Sequence, residues 1–271
     1  MNTPWQQANL ASWNSRAALH IRDRSGFYDV EGFLAGGDTL CPIEVPEIGD
    51  LQGKTLLHLQ CHFGLDTLSL ARRGAVVTGL DFSPVAIEGA RELAEKAGLP
   101  ATFVQADLYE ARQAIEGTFD MVYTSWGTIC WLPDIRAWAQ VVAGMLEPGG
   151  TFYFADSHPF ALVLDERDGV IRPTYGWRTP QDRPDAFTDA KSYTGDEFAE
   201  PVTDYNWLHP LSDIVTGLIE AGLTLEFLHE HERLPWKLFP SMVTAGERMF
   251  RLPDGAVPMP LAFSLKAVKK G

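Results

Sequence analysis

The chain has little cysteine. Cys41, Cys61 and Cys130 are odd in number and far apart, which excludes a disulfide framework or a zinc ribbon and points to a reducing compartment. Basic runs are absent as well. With 36 Asp and Glu against 22 Lys and Arg, the formal charge is −14. No basic stripe offers itself to a phosphate backbone, which argues against DNA or RNA as a partner. No run of about 18 apolar residues occurs, so a membrane-spanning helix is not expected. The opening MNTPWQQANLASWNSRAALH lacks the basic and then apolar regions of a secretory signal. Internal repeats and low-complexity tracts are missing too. These absences leave the expectation of a cytoplasmic protein that does not engage membranes.

What is present is ample core material: 271 residues, 45% of them hydrophobic, enough for one α/β domain. From Lys54 onward apolar runs alternate with helical patterns. Strands are expected at 54–60, 75–81, 101–107, 119–126 and 151–159. Helices are expected at 65–74, 83–98 and 134–150; the second has Ser83 at its N-cap, Pro84 in its first turn and Gly98 at its end. Such alternation argues for a parallel sheet covered on both faces. Residues 160–206 show no clear period and are expected to be an insertion or lid. A helix follows at 210–223, a strand at 223–234, and a last strand at 260–270 that pairs antiparallel because no helix leads into it. Residues 1–50, carrying Trp5, Trp13, Phe27, Tyr28 and Phe33, are expected to cover the open end of the sheet. The whole chain is then one domain: cap 1–50, cofactor-binding core 51–159, lid 160–206, and the C-terminal part of the sheet 207–271.

Glycine is short where it matters most. In LLHLQCHFGLD a strand runs into a turn and a helix, yet only Gly64 stands where nucleotide loops carry two or three glycines. Open α/β sheets bind ligands at the carboxyl ends of their strands, and a helix N-terminus there offers free N–H groups. Gly64 alone is equally a plain tight turn. Asp81 ends the second strand, where an acid can accept both ribose hydroxyls of an adenosine. Asp107 ends the third, where a carboxylate can accept the adenine amino group. Each also has a simpler reading, Asp81 as a cap for the helix at Ser83 and Asp107 as the start of a turn. A dinucleotide loop requires G-x-G-x-x-G so that the backbone can approach a pyrophosphate. Gln60 and His62 stand in the way, and no Walker-type motif exists. Adenosine without phosphates fits better, as in S-adenosylmethionine.

At these residues the chain resembles the class I S-adenosylmethionine-dependent methyltransferases, over about residues 50–160. The family's acid-apolar-Gly-x-Gly-x-Gly falls on His58, Leu59, Gln60, Cys61, His62, Phe63 and Gly64, and LEPGGTFYFAD looks like its Pro-Gly-Gly turn and fifth strand. The resemblance implies an α/β, Rossmann-like seven-stranded mixed sheet with helices on both faces and a C-terminal antiparallel strand pair. It implies a methionine end over Gln60, Cys61, His62 and Gly64, ribose on Asp81, and adenine beside Phe82, Asp107 and Leu108. Thr124, Ser125 and Trp126 would face the methionine or the substrate. The family's acid is His58 here and two of its three glycines are Gln60 and His62. The methionine ammonium then needs another partner, Asp66 or a side chain from residues 1–50.

Methyl transfer is an in-line displacement, so alignment matters most, and a base is needed only for a protonated acceptor. Asp156 and His158 in ADSHPF are candidates, as is Tyr28. His158 beside Pro159 serves equally as a loop-orienting residue, and Tyr28 as a packing lid. Aromatics clustered around the expected pocket point to a small-molecule acceptor; Trp138, at apolar helical spacing, is expected in the core. HEHERLPWK places His229 and His231 on one face without a third ligand, so no metal site is expected. Two alternatives remain, an NAD(P)-dependent oxidoreductase and a non-catalytic adenosine-binding module.

Overall fold

The computed structural model describes residues 3–246 and 248–271. Its frame is a sheet whose central strands are buried on both sides. The strands are β1 (Thr55–Leu59), β2 (Val76–Asp81), β3 (Thr102–Gln105), β4 (Phe119–Ser125), β5 (Leu146–Ser157), β6 (Leu223–His231) and β7 (Ala262–Lys269). Their spatial order is β6-β7-β5-β4-β1-β2-β3. Strand β1 pairs in parallel with both β2 and β4, whereas β7 runs antiparallel to β5 and to β6. This is the expected mixed sheet with its C-terminal antiparallel pair. The chain leaves β1 in one direction and returns beside it on the other, so strand order reverses between β1 and β4. A crevice opens there, at the carboxyl ends.

Alternate side chains send the core to both faces. Leu57, Leu59, Leu80, Val122, Phe152, Phe154 and Phe263 pack with Trp138 and Ile214, which belong to helices α4 (Ile135–Met145) and α5 (Leu211–Glu220). Leu56, Val77, Met121, Tyr123 and Tyr153 face the other way, toward Leu70, which lies on α2 (Leu65–Arg72). Helix α3 (Pro84–Ala97) starts where Ser83 Oγ accepts the Ala86 N–H at 3.1 Å and ends at Gly98 with φ +64°. Trp138 is fully buried, as its spacing predicts.

Three boundaries differ from expectation. Helix α4 stops at Met145, and β5 starts at Leu146, because the Pro148-Gly149-Gly150 turn is absorbed as an irregularity in the β4–β5 pairing. The strand expected at 223–234 ends at His231; Arg233–Leu234 joins a separate small sheet with Phe250–Arg251 and Val243–Thr244. Residues 160–206 are mostly two hairpins, Leu164–Arg167 with Val170–Pro173 and Asp185–Lys191 with Glu197–Asn206. Both are solvated over much of their length. Without a consistently buried face, strands carry no alternation to read.

Helix α1 (Pro4–His20) begins in a Thr3–Gln6 capping box and lies against the second hairpin. Asn9 and Tyr205 exchange two hydrogen bonds of 2.8 Å, Asn9 Nδ2 donating to the Tyr205 carbonyl and the Tyr205 N–H to Asn9 Oδ1. Arg16 and Asp204, 4% and 2% exposed, form a buried ion pair, and the Arg16 guanidinium lies 5.1 Å from the Phe198 ring centre. Ser83 Oγ donates to Asn14 Oδ1 at 2.7 Å, so α1 also docks on the start of α3. Breaking a buried pair from one side strands a charge, at a cost of about 3–5 kcal/mol. Arg16→Ala is expected to lower the thermal midpoint by about 10 °C, and Arg16→Met with Asp204→Leu to recover most of that. An unchanged midpoint in calorimetry for Arg16→Ala would show that the pair does not hold the cap.

Candidate active site

The crevice between β1 and β4 opens into a cavity of about 690 Å³. Its floor is the loop after β1, and its walls include α1, Tyr28, the 41–44 segment, the second hairpin and Trp236. The loop backbone turns left-handed at every second position: Gln60 has φ +57°, His62 +51° and Gly64 +82°. These are the positions at which the resemblance places glycines. A left-handed non-glycine residue costs roughly 1–2 kcal/mol, so local bonds must hold the other two. Gln60 Nε2 donates to the Thr128 carbonyl at 2.9 Å, and the His62 N–H donates to Asp81 Oδ2 at 2.9 Å. Gly64 admits no side chain, since a Cβ there would stand 2.9 Å from Ala90 Cβ and the Phe103 ring.

Asp81, at the tip of β2, takes the His62 N–H on one oxygen and the Ser83 N–H on the other, at 2.9 Å each. Each oxygen keeps a second lone pair for a ligand hydroxyl. Burial raises its carboxyl to about 6, against the pull of these backbone donors. Asp107 lines the cavity and accepts the Tyr109 N–H at 2.9 Å, so it also starts the turn at Leu108. Phe82, Leu108, Cys61, Ser125, Trp126 and Asp66 line the same cavity. Thr124 is buried outside the lining, because strand alternation turns it from the face that Ser125 uses. His58, at the family's acid position, shares a 2.8 Å hydrogen bond with Thr67 Oγ1, and burial drops its imidazole to about 3.

The three candidate bases stand in different settings. His158 is not among the lining residues: Nδ1 accepts the Phe160 N–H at 3.0 Å, and Nε2 lies 3.1 Å from Glu230 Oε1. Its contacts are those of a loop-orienting residue. Asp156 reaches the cavity, but its carboxylate accepts the N–H groups of Gly127 (2.7 Å), Thr128 (3.1 Å) and Ser157 (2.7 Å), which fastens the loop after β4. Tyr28 lines the cavity in a closed cluster. Its hydroxyl bonds that of Tyr193 and lies 3.3 Å from His20 Nδ1. His20 Nδ1 also shares a 2.9 Å hydrogen bond with His62 Nε2. Burial pushes the Tyr28 phenol well above its ordinary value and His20, beside Arg16, down to about 3. The cluster joins the segment before the sheet, the second hairpin and the loop after β1. His229 shares a 2.8 Å hydrogen bond with Glu47 Oε1 and His231 a 2.9 Å one with Ser264.

Sequence reasoning missed Glu44 and His20. Neither sits in a motif, and only the folded chain brings them to the loop. Among the described residues the cavity is lined by seven carboxylates (Glu44, Asp66, Asp81, Asp107, Asp156, Asp165 and Asp185) and one guanidinium, Arg248. Gln60 Oε1 and Thr128 Oγ1 are buried at its edge without partners. This donor and acceptor set suits adenosine joined to a cationic group. It suits a pyrophosphate poorly, which weighs against the NAD(P) alternative.

Comparison with known proteins agrees with this fold. Residues 56–150 match the methyltransferase domain family. A ubiquinone biosynthesis O-methyltransferase of Cronobacter sakazakii is 32% identical over 135 residues, 48% of this chain and 55% of that protein. Its counterpart in Vibrio campbellii is 32% identical over 153 residues, 53% of this chain and 65% of that protein. The chain thus spans little more than half the length of these curated relatives. An S-adenosylmethionine-dependent methyltransferase from Mesorhizobium loti superposes with a TM-score of 0.58 at 18% identity, covering 84% of this chain and 96% of that one. A glycopeptide N-methyltransferase complexed with S-adenosyl-L-methionine gives 0.53 at 18% identity, covering 84% and 86%. By its sheet order and the match over residues 56–150, the chain carries a methyltransferase domain over those residues, in the fold of S-adenosylmethionine-dependent methyltransferases.

Proposed function

We propose that the protein transfers a methyl group from S-adenosylmethionine to a small-molecule acceptor held inside the cavity. The observation that carries this reading is the glycine-type loop backbone at Gln60, His62 and Gly64, bonded to Asp81 above an acid-rich cavity. The cofactor supplies an activated methyl on a sulfonium, whose cleavage needs little beyond alignment. The chain's own residues do the rest. Asp81 accepts the ribose hydroxyls, with Phe82, Asp107 and Leu108 beside the base and Ser125 and Trp126 at the reacting end. Trp126 has φ +45° and its N–H donates to the Ala155 carbonyl at 3.1 Å, which fixes the turn where acceptor and methyl would meet. Asp156 keeps that turn in place through its three backbone donors. Alignment of this kind contributes up to about 7–11 kcal/mol to a barrier.

The walls of the cavity support a small acceptor. Helix α1 and the second hairpin wall one side of the crevice, and Tyr28, Tyr193, His20 and His62 join at its edge. Trp126 and Trp236 meet edge to face at 5.9 Å on the remaining wall, leaving an aromatic pocket rather than a groove. The O- and N-methyltransferase activities of the proteins it resembles are compatible with such an acceptor. Release of S-adenosylhomocysteine with a small-molecule library, and none with tRNA or rRNA, is the expected result. The reverse pattern would overturn the acceptor class.

Two further outcomes follow from Asp81. A hydrogen bond to a charged group contributes about 1.5–3 kcal/mol, so Asp81→Ala should weaken S-adenosylhomocysteine binding by roughly 10- to 100-fold in calorimetric titration. Unaltered affinity would remove Asp81 from the site. Because the free carboxyl titrates near 6 and ribose hydroxyls donate to its ionised form, protonation must be undone on binding at low pH. Affinity should therefore fall as pH drops through 6, by about tenfold per unit below it. Asp81→Asn should flatten the profile there. Tighter binding at pH 5 than at pH 7 would contradict the assignment.

A further inference from the structure

Glu44 precedes the sheet and is fully buried at the cavity wall. Its Oε2 accepts the Cys41 N–H at 2.6 Å and its Oε1 accepts the Tyr123 hydroxyl. Asp66, in the first turn of α2, lines the same cavity and accepts the Thr39 hydroxyl at 2.6 Å. The two carboxylates lie close enough for the charge of Asp66 to act on Glu44. Among the described residues, neither forms an ion pair. Arg248, whose charge is felt at Asp66, is exposed and donates to the Asp38 carbonyl at 3.2 Å.

Buried carboxylates are ordinarily paired or protonated. Burial, followed by the Asp66 charge, raises Glu44 to about 7, and burial raises Asp66 to about 6. The fold therefore keeps two acids at a cost in stability, with no cation of its own between them. A second observation points the same way. Ser125 is 7% exposed and lines the cavity; its Oγ lies near the Tyr123 hydroxyl, whose proton goes to Glu44, and makes no other hydrogen bond. It stands two positions from Tyr123 and so on the same face of β4. An ammonium group carries three donors and a positive charge, which is the complement of two carboxylates and a spare hydroxyl.

We propose that Glu44 and Asp66, with Ser125 Oγ on the wall of the same cavity, form the seat of a ligand's ammonium group. This rests on the methyltransferase reading, which supplies two sources for such a group, the methionine half of the cofactor and an amine acceptor. The seat takes over from the acid that His58 replaces, and it is built from the segment before the sheet rather than from β1.

The test is calorimetric titration of the wild type, Glu44→Gln and Asp66→Asn. The ligands are S-adenosylhomocysteine, 5′-methylthioadenosine (the same adenosine and sulfur without the amino-acid end), and benzylamine against benzyl alcohol on S-adenosylhomocysteine-loaded protein. At least tenfold weaker S-adenosylhomocysteine binding, with 5′-methylthioadenosine changed less than twofold, supports the seat and assigns it to the cofactor. Unchanged nucleoside binding with loss of the wild type's preference for benzylamine over benzyl alcohol supports it and assigns it to an amine acceptor. Variants that bind all ligands as the wild type does, or that lose both nucleosides equally, overturn it. Melting curves report folding; should Glu44→Gln not fold, Asp66→Asn decides. A wild type that binds neither nucleoside undoes the methyltransferase reading itself, and benzylamine against benzyl alcohol then decides the seat on unloaded protein.

Discussion

A single hydrogen bond ties the site together, that from the His62 N–H to Asp81 Oδ2. It joins the loop leaving β1 to the tip of β2, and it holds His62 in a left-handed conformation that its side chain disfavours. With His62 so placed, its imidazole faces His20, Trp13, Tyr28 and Phe63, and the N-terminal cap gains a surface to close on. Were the loop to relax, both the carboxylate orientation and the docking of α1 would change together.

The loop departs from the glycine pattern it resembles in side chains, yet its backbone turns left-handed at all three of those positions. Glycine serves such loops in two ways, by tolerating positive φ and by leaving room for close approach. Only the first is needed at Gln60 and His62, where bonds to Thr128 and Asp81 offset the conformational cost. Both are needed at Gly64, wedged against Ala90 and Phe103. That difference explains why one glycine remains of three. It also gives the loop polar side chains aimed at the cavity and at the cap.

Helix α1 and the second hairpin wall one side of the crevice. Their contacts are polar and buried: the Asn9–Tyr205 pair, the Arg16–Asp204 ion pair, and the His20–Ser192 hydrogen bond of 2.6 Å. Such contacts are directional, so they fix register more than they add stability. Burial also lowers the local dielectric, and the carboxylates lining the cavity accordingly lie above their ordinary range at Glu44, Asp66, Asp81 and Asp156.

The sequence by itself determined the sheet: buried strands read as apolar runs, Ser83-Pro84 and Gly98 bound α3, and the connection without a helix makes β7 antiparallel. It also placed Gly64, Asp81 and Asp107 at one edge, since strand ends are set by local pattern. Local pattern could not reveal the hairpins of residues 160–206, whose solvated faces carry no period. Nor could it reveal that Glu44 meets Tyr123 across 79 positions or that His20 meets His62 across 42. His158, near a strand end, reads from the sequence either as a base or as a loop-orienting residue, and packing turns its ring to Phe160 and Glu230. Periodicity reports burial along one element. Which polar groups share a cavity is decided by contacts between elements, and those exist only once the chain has closed.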